Sequence, residues 1–151
     1  MFKRENWWVW ATAVLLAVGL FGCEAEARMH TEFDPAHGWI QYAKQVEREL
    51  GLPEKLLSST CSTESDWRPN LVGTAGEIGL CQMKPGTLAL LVAASPTELY
   101  DPYFAIYYAG VYYQWLIKRV GTRDPDVLAL AYNQGPYSAA VQYVMKVRSR
   151  R

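Results

Sequence analysis

Glu64 is a carboxylic acid whose neighbours in the sequence favour its protonated form. The side chains one helical turn before it, Thr60 and Cys61, carry no charge, and the first cation after it is Arg68. A carboxyl group in an apolar setting without an ionic partner has a raised pKa. Such a group suits a general acid that protonates a leaving oxygen. Taken alone, a glutamate before a loop is explained more simply as a solvated charge at a helix end.

The two cysteines of the central region, Cys61 and Cys81, can pair with each other in only one way. Two buried free thiols are the alternative, and the sequence does not decide between them. Metal binding is not expected, because His30 and His37 lie far in sequence from both cysteines and no ligand spacing is present. We expect neither a metal nor another cofactor.

Proline, glycine and the spacing of apolar residues divide the chain into short helices. Ile40, Ala43 and Val46 repeat at the spacing of one helix face, and Gly51 is a plausible helix stop. The glycine-rich stretch 67–82 predicts an irregular loop with a short hairpin. Helices are predicted over residues 35–50, 53–66, 85–92, 102–120, 125–132 and 137–147. We therefore expect one mainly α domain with a small central β or loop element.

The N-terminus has the pattern of an export signal. Two basic residues precede an apolar run over residues 7–21, which is shorter than the ~20 residues of a transmembrane helix. One interpretation is a cleaved signal peptide, residues 1–27, followed by a mature domain of residues 28–151. The others are lipidation of Cys23 and an uncleaved anchor. Each places the domain outside the cytoplasm, where disulfides persist, with the N-terminus as its only contact with a membrane.

The charge of the chain is balanced, with 15 basic and 15 acidic residues. No broad basic face is expected, so nucleic acid is not a predicted partner. A short basic tail ends the sequence. It is either a solvated terminus or a weak attraction to anionic lipid or polymer.

Three ordered motifs carry a resemblance to a known family. They are Glu64-Ser65-x-Trp67-x-Pro69, Gly76-x-x-Gly79-Leu80-x-Gln82-x-x-Pro85-x-Thr87 and Ala131-Tyr132-Asn133-x-Gly135-Pro136. In this order and at these separations they resemble the soluble-type lytic transglycosylases (SLT domain), whose fold is lysozyme-like and of the goose type. The resemblance covers roughly residues 49–147.

The resemblance implies a peptidoglycan lytic transglycosylase in which Glu64 is the single catalytic carboxylate. As an acid it would protonate the oxygen between N-acetylmuramic acid and N-acetylglucosamine, while the substrate's N-acetyl group stabilises the sugar cation. As a base it would then help the muramic 6-hydroxyl to close a 1,6-anhydro ring. The family's substrate-binding positions correspond to Gln82, Tyr132 and Asn133, with Tyr143 as a further candidate. Tyr132 would orient the catalytic carboxyl, whereas Asn133 could equally cap the helix break.

Several positions depart from the family pattern. Gly73 stands where serine is usual, Cys81 where methionine is usual, and Lys84 where an apolar residue is usual. Glu77 occupies a position that the family usually fills with a small residue. A solvated loop charge is its favoured interpretation, and a second catalytic acid is the other. A disulfide from Cys61 to Cys81 would tie the catalytic helix to the substrate-binding segment.

Two other functions are consistent with these motifs. A hydrolysing muramidase of the same fold would release reducing ends, and a non-catalytic wall-binding or assembly protein would keep the fold without the reaction. The presence of Glu64, Gln82 and Tyr132 favours an enzyme. The expected partner is the glycan strand of peptidoglycan. The short chain suggests service to a secretion, pilus, conjugation or phage apparatus.

Overall fold

The computed structural model describes residues 34–149, and helices make up most of this part of the chain. The elements are α1 (Pro35–Glu49), α2 (Leu56–Ser65), α3 (Pro85–Ala89), a 3₁₀ helix (Pro96–Tyr100), α4 (Pro102–Val120), α5 (Pro125–Gln134) and α6 (Ala139–Arg148). The predicted mainly helical domain is confirmed. The predicted export segment, residues 1–27 with Cys23, lies outside the described residues. Within residues 34–149, no helix is both long enough and apolar enough to span a membrane.

Helix α4 has the boundaries that the sequence predicts. Asp101 caps its N-terminus, because the Asp101 carboxylate accepts a hydrogen bond from the Phe104 N–H at 2.8 Å. Pro102 occupies the first turn, where a missing N–H is harmless. Gly121 ends the helix in the left-handed conformation, with φ at 76°. Helix α4 packs against α1, α2, α5 and the 3₁₀ helix, so it forms the centre of the core.

Helices α1 and α4 cross closely at Gly110. A Cβ atom at this position would lie 2.7 Å from Val46 Cγ1 and 3.0 Å from Leu50 Cδ1, closer than carbon atoms normally pack. Leu57 of α2 approaches the same point and is fully buried. The contact at Gly110 therefore sets the distance between α1 and α4, and with it the position of α2, which contacts both helices.

Helix α2 begins at Leu56, so the prediction of a helix from residue 53 is wrong by three residues. Lys55, directly before the helix, adopts the left-handed conformation with φ at 65°. The reason is a side chain from α1. The buried carboxylate of Glu47 accepts hydrogen bonds from the N–H groups of Lys55 (3.1 Å) and Ser58 (2.8 Å) and from the Ser58 hydroxyl (3.0 Å). Glu47 therefore satisfies donors that a helix N-terminus leaves without partners.

The shorter helices differ from their predicted ends by a few residues. Helix α3 ends at Ala89, three residues before its predicted end. Helix α5 continues through Gln134, because Gly135 with φ at 89° supplies the stop two residues later than expected. Helix α6 begins at Ala139, after Ser138, whose hydroxyl caps its first turn.

The central segment, residues 66–84 between α2 and α3, is irregular and carries two isolated antiparallel bridges. Val72 pairs with Ile78, and Ile78 pairs with Met83. The predicted loop with a small β element is therefore confirmed. Gly79, with φ at +79°, lets this segment lie against the 3₁₀ helix, because a Cβ atom there would collide with the carbonyl oxygen of Leu99.

Replacing Glu47 with alanine should lower the free energy of unfolding by about 3 kcal/mol, because donors at the start of α2 lose a buried charged acceptor. Glu49→Ala is the matched control. It makes the same change in the same helix at an exposed position, so its effect should stay below about 0.5 kcal/mol. Urea unfolding of both variants measures the difference. Equal losses of stability would show that the Glu47 carboxylate does not hold α2.

Candidate active site

Glu64 lies where two surface cavities meet. A cavity of about 430 Å³ and a second of about 420 Å³ are both lined by Glu64 and Asn133. The first cavity is bounded by the central segment and the end of α5. The second is bounded by α2 and the start of α5. We call the two cavities together the groove, and an extended, chain-like ligand that filled both would lie against Glu64.

The last turn of α2, which carries Glu64, is fastened to the central segment by two contacts. The Ser65 hydroxyl donates a hydrogen bond to the Leu80 carbonyl oxygen at 2.6 Å, and a disulfide joins Cys61 to Cys81. All four of these residues are buried. The Cys61–Cys81 disulfide is therefore present in the structure, and it links helix α2 to the central segment.

The Glu64 carboxyl is partly buried and has a raised pKa. Burial raises the pKa, a hydrogen bond from the Asn133 side chain opposes that effect, and the negative charge of Glu77 raises the pKa further. No ion pair within residues 34–149 includes Glu64. The guanidinium of Arg68 is engaged elsewhere, since its Nε donates to the Ser65 carbonyl oxygen at 2.7 Å. The raised pKa agrees with the sequence prediction, and it suits a group that must deliver a proton near neutral pH.

Two aromatic rings form part of the wall of the first cavity. Tyr112 and Tyr132 line it, and the Tyr132 ring stacks on Tyr113 with ring centroids 4.9 Å apart. The Tyr113 hydroxyl shares a hydrogen bond with the Thr60 hydroxyl at 2.6 Å. Tyr113 is fully buried, so its hydroxyl finds this partner inside the core, next to the ring that lines the cavity.

The Tyr132 hydroxyl does not orient Glu64, and this correction changes the predicted role of Tyr132. The hydroxyl donates a hydrogen bond to the carbonyl oxygen of Cys81 at 2.8 Å. Tyr132 thereby joins α5 to the central segment. The polar group that faces the Glu64 carboxyl is the side chain of Asn133.

Gln82 lines the first cavity with its side-chain amide held in place. Its Nε2 donates hydrogen bonds to the carbonyl oxygens of Leu71 (3.1 Å) and Gly79 (2.9 Å). Its carbonyl oxygen Oε1 lies against Gly73, where a Cβ atom would be only 2.7 Å away. Gln82 therefore offers the cavity a fixed hydrogen-bond acceptor, because both of its N–H bonds are directed into the protein.

Asn133 and Tyr143 have different surroundings in the structure. Asn133 is helical, on the last turn of α5, and lines both cavities, while the helix cap is Gly135, whose N–H bonds the Ala131 carbonyl oxygen at 2.9 Å. The alternative that Asn133 caps the helix break is therefore wrong. Tyr143 lies on α6 with a relative exposure of 69% and lines neither of these two cavities. Its role in the groove stays a prediction.

Glu77 is not the solvated loop charge that the sequence favours. Its side chain is 23% exposed, lines the first cavity, and pairs with Lys84 at a distance of 3.4 Å between Nζ and Oε1. Tyr112 also lines the first cavity, and the sequence did not single it out, because an apolar helix with many tyrosines gives no signal that separates a groove residue from a packed one. For Glu77 the signal was present, as an acidic residue where small side chains are usual.

Comparison with known proteins gives a family match and a similar curated protein. The family described as Transglycosylase SLT domain matches residues 41–147. Among curated proteins, "Membrane-bound lytic murein transglycosylase C" from Actinobacillus succinogenes is 26% identical over 115 residues, which cover 66% of this chain and 32% of that protein. The chain therefore spans about a third of the length of this relative. The family match includes Glu64, Gln82, Tyr132 and Asn133.

The raised pKa of Glu64 predicts how pH affects the stability of a Glu64→Gln variant. A carboxyl group whose pKa is higher in the folded protein than in the unfolded chain stabilises the fold at low pH. That stabilisation is lost as the pH rises through the folded value. The neutral amide avoids this loss, so Glu64→Gln should be more stable than the wild type at pH 7. The advantage should disappear below about pH 4, the ordinary range of a glutamate. Thermal or urea unfolding at both pH values measures it, and an advantage that grows at low pH would contradict a raised pKa.

Proposed function

Because the chain belongs to the Transglycosylase SLT domain family, we propose that it cleaves the β-1,4 bond between N-acetylmuramic acid and N-acetylglucosamine in peptidoglycan. Glu64 is the acid and then the base of this reaction. The observation that carries the proposal is the Glu64 carboxyl itself. This carboxyl is partly buried and has a raised pKa. It belongs to no ion pair within residues 34–149, and it lines both cavities of the groove. The proposal extends to this chain an activity like the one that the name of its relative gives for that protein.

The first step breaks the bond between C1 of the muramic acid and the oxygen of the leaving N-acetylglucosamine. The protonated Glu64 carboxyl transfers its proton to that oxygen as the bond breaks. The N-acetyl carbonyl oxygen of the muramic acid bonds to C1 and takes up the positive charge, which removes the need for a protein nucleophile. Partial burial favours this step, because it keeps the proton on Glu64 at pH values where an exposed glutamate has lost it.

The second step closes the sugar on itself. Glu64, now a carboxylate, accepts the proton of the muramic C6 hydroxyl while the C6 oxygen attacks C1 and displaces the N-acetyl oxygen. The product is a 1,6-anhydro sugar, Glu64 is again protonated, and no water is consumed. One group acts as both acid and base, which an intermediate pKa allows.

Two neighbours are assigned supporting roles. Gln82 presents its Oε1 to the cavity and accepts a hydrogen bond from a substrate N–H or hydroxyl. Asn133 faces the Glu64 carboxyl and holds its orientation between the two steps. Tyr132 is a positioning residue, because its hydroxyl holds the Cys81 carbonyl and with it the segment that carries Gln82.

A hydrolysing muramidase is the second candidate. The observation in its favour is that a second carboxylate, Glu77, lines the first cavity together with Glu64. Hydrolases use such a second carboxylate to activate water. Such an enzyme would add water at C1 and release a reducing end. A non-catalytic wall-binding protein is disfavoured, because it has no need for an unpaired, partly buried carboxyl in the groove.

Peptidoglycan lies outside the cytoplasm, so the proposed activity requires export. We assign this role to residues 1–27, followed by a catalytic domain of residues 28–151, with lipidation of Cys23 as the alternative to cleavage. The partner proposed for the domain is the glycan strand. We also propose that the enzyme serves a secretion, pilus, conjugation or phage apparatus.

Glu64→Gln should reduce the release of soluble fragments from purified peptidoglycan by about 10³-fold, because the amide has no proton to transfer. Glu98→Gln is the matched control, since it removes one carboxylate at an exposed position of the 3₁₀ helix, and it should be as active as the wild type. Binding to insoluble peptidoglycan should be retained by both variants. Fragment release by Glu64→Gln at the wild-type rate would remove Glu64 from the mechanism. A wild type that binds but releases nothing would favour the non-catalytic protein.

A further inference from the structure

The first cavity, which Glu64 lines, contains a second carboxylate whose position is fixed. Glu77 belongs to the central segment, on the turn closed by the bridge between Val72 and Ile78. Its Oε2 accepts a hydrogen bond from the Ala75 N–H at 3.1 Å. Its Oε1 lies 3.4 Å from Lys84 Nζ. With partners on both oxygens, the carboxylate keeps one orientation.

Gly73 allows the Glu77 side chain to fold back into the cavity. A Cβ atom at Gly73 would lie 2.5 Å from Glu77 Oε2 and 2.7 Å from Gln82 Oε1. Any other residue at this position would displace one of these two groups. The glycine therefore brings the carboxylate beside the amide that we assign to substrate binding.

The environments of Glu64 and Glu77 shift their pKa values in opposite directions. Hydrogen bonds from the backbone N–H groups of Glu77 itself and of Ala75, together with Lys84, lower the pKa of Glu77. Burial raises the pKa of Glu64. Over the pH range between the two values, Glu64 holds its proton while Glu77 is ionised. Two carboxyl groups held apart in this way perform different tasks in one site.

We propose that Glu77 is a fixed anion of the active site, which stabilises the positive charge that develops at C1 of the muramic acid as the bond to the leaving oxygen breaks. This inference rests on the proposed cleavage of peptidoglycan and assigns it a further residue. Glu77 forms no bond and transfers no proton. The electron pair of the C1–O bond leaves with the oxygen that Glu64 protonates, and the N-acetyl oxygen supplies the new bond to C1.

Lys84 does not cancel this charge. Its side chain is 54% exposed, so water screens a part, though not all, of its interaction with the carboxylate. Glu77 is the less exposed of the two partners, with 23% of its side chain exposed, and it lines the cavity that also holds Glu64. The other charged residues that line the two cavities are Glu54, Lys55 and Asp126, all in the second one.

Glu77→Gln tests the proposal, because the amide keeps the shape and can still accept the Ala75 N–H. On soluble, uncross-linked glycan strands its kcat should fall about tenfold or more, with KM within about twofold of the wild type. Loss of the nearby charge should also lower the pKa of Glu64, so the alkaline limb of the pH–rate profile should move to lower pH. The exposed Glu98→Gln variant is the control, and its kcat and pH profile should match the wild type.

Lys84→Met removes the counter-charge and leaves the anion. The alkaline limb of its pH–rate profile should move to higher pH, in the direction opposite to the shift expected for Glu77→Gln. The proposal is overturned if Glu77→Gln has the kcat and the pH profile of Glu98→Gln, or if its alkaline limb moves upward. If circular dichroism shows that Glu77→Gln does not fold, Lys84→Met decides, and an alkaline limb that stays in place or falls overturns the proposal. An inactive wild type would instead reject the proposed function.

Discussion

Helix α2 holds the Glu64 carboxyl in the groove without an ion-pair partner among residues 34–149. The rest of the site depends on the contacts that fix this helix at both ends. The end of α2 that carries Glu64 is fixed by the Ser65 hydrogen bond to the Leu80 carbonyl and by the Cys61–Cys81 disulfide. Its other end is fixed by the Glu47 carboxylate. The well-bonded carboxylate at the start of the helix offsets the unfavourable, partly dehydrated one near its end. Carboxyl groups whose pKa is shifted by burial are common at active sites.

Several hydrogen-bond donors near the groove are bonded to partners other than Glu64, and this affects the chemistry of its carboxyl group. The hydroxyls of Tyr113 and Tyr132 are bonded to Thr60 and to the Cys81 carbonyl. The two N–H bonds of Gln82 are directed to backbone carbonyls. Because these donors are occupied, few of them remain to stabilise an ionised Glu64. The proton is thereby kept on the group that must deliver it.

The sequence was most informative where the structure depends on neighbouring residues. Pro102 and Gly121 are local signals, and the predicted bounds of α4, residues 102–120, are those that the structure has. The start of α2 was missed because its cap comes from Glu47 on another helix, and no local pattern announces a contact between helices. The position of Gly135 at the end of α5 was visible, but not how far the helix would run toward it.

The candidate site was predictable in its members and less so in their orientations. Glu64 stood out by its uncharged neighbours, while Gln82, Tyr132 and Asn133 came from the family resemblance. Residue types alone do not show which atom a side chain presents. The Tyr132 hydroxyl and the Gln82 amide are directed by tertiary contacts, and Glu77 reaches the cavity only because Gly73 leaves room for it.

The central claim is that Glu64 acts as acid and then as base on one sugar, without water. Mass analysis of the fragments released by the wild-type protein from purified peptidoglycan in ¹⁸O-water tests it most directly. The account predicts 1,6-anhydro-muramyl ends that carry no ¹⁸O. Reducing muramyl ends labelled with ¹⁸O would contradict it, because they would show that water, and not the muramic 6-hydroxyl, attacks C1.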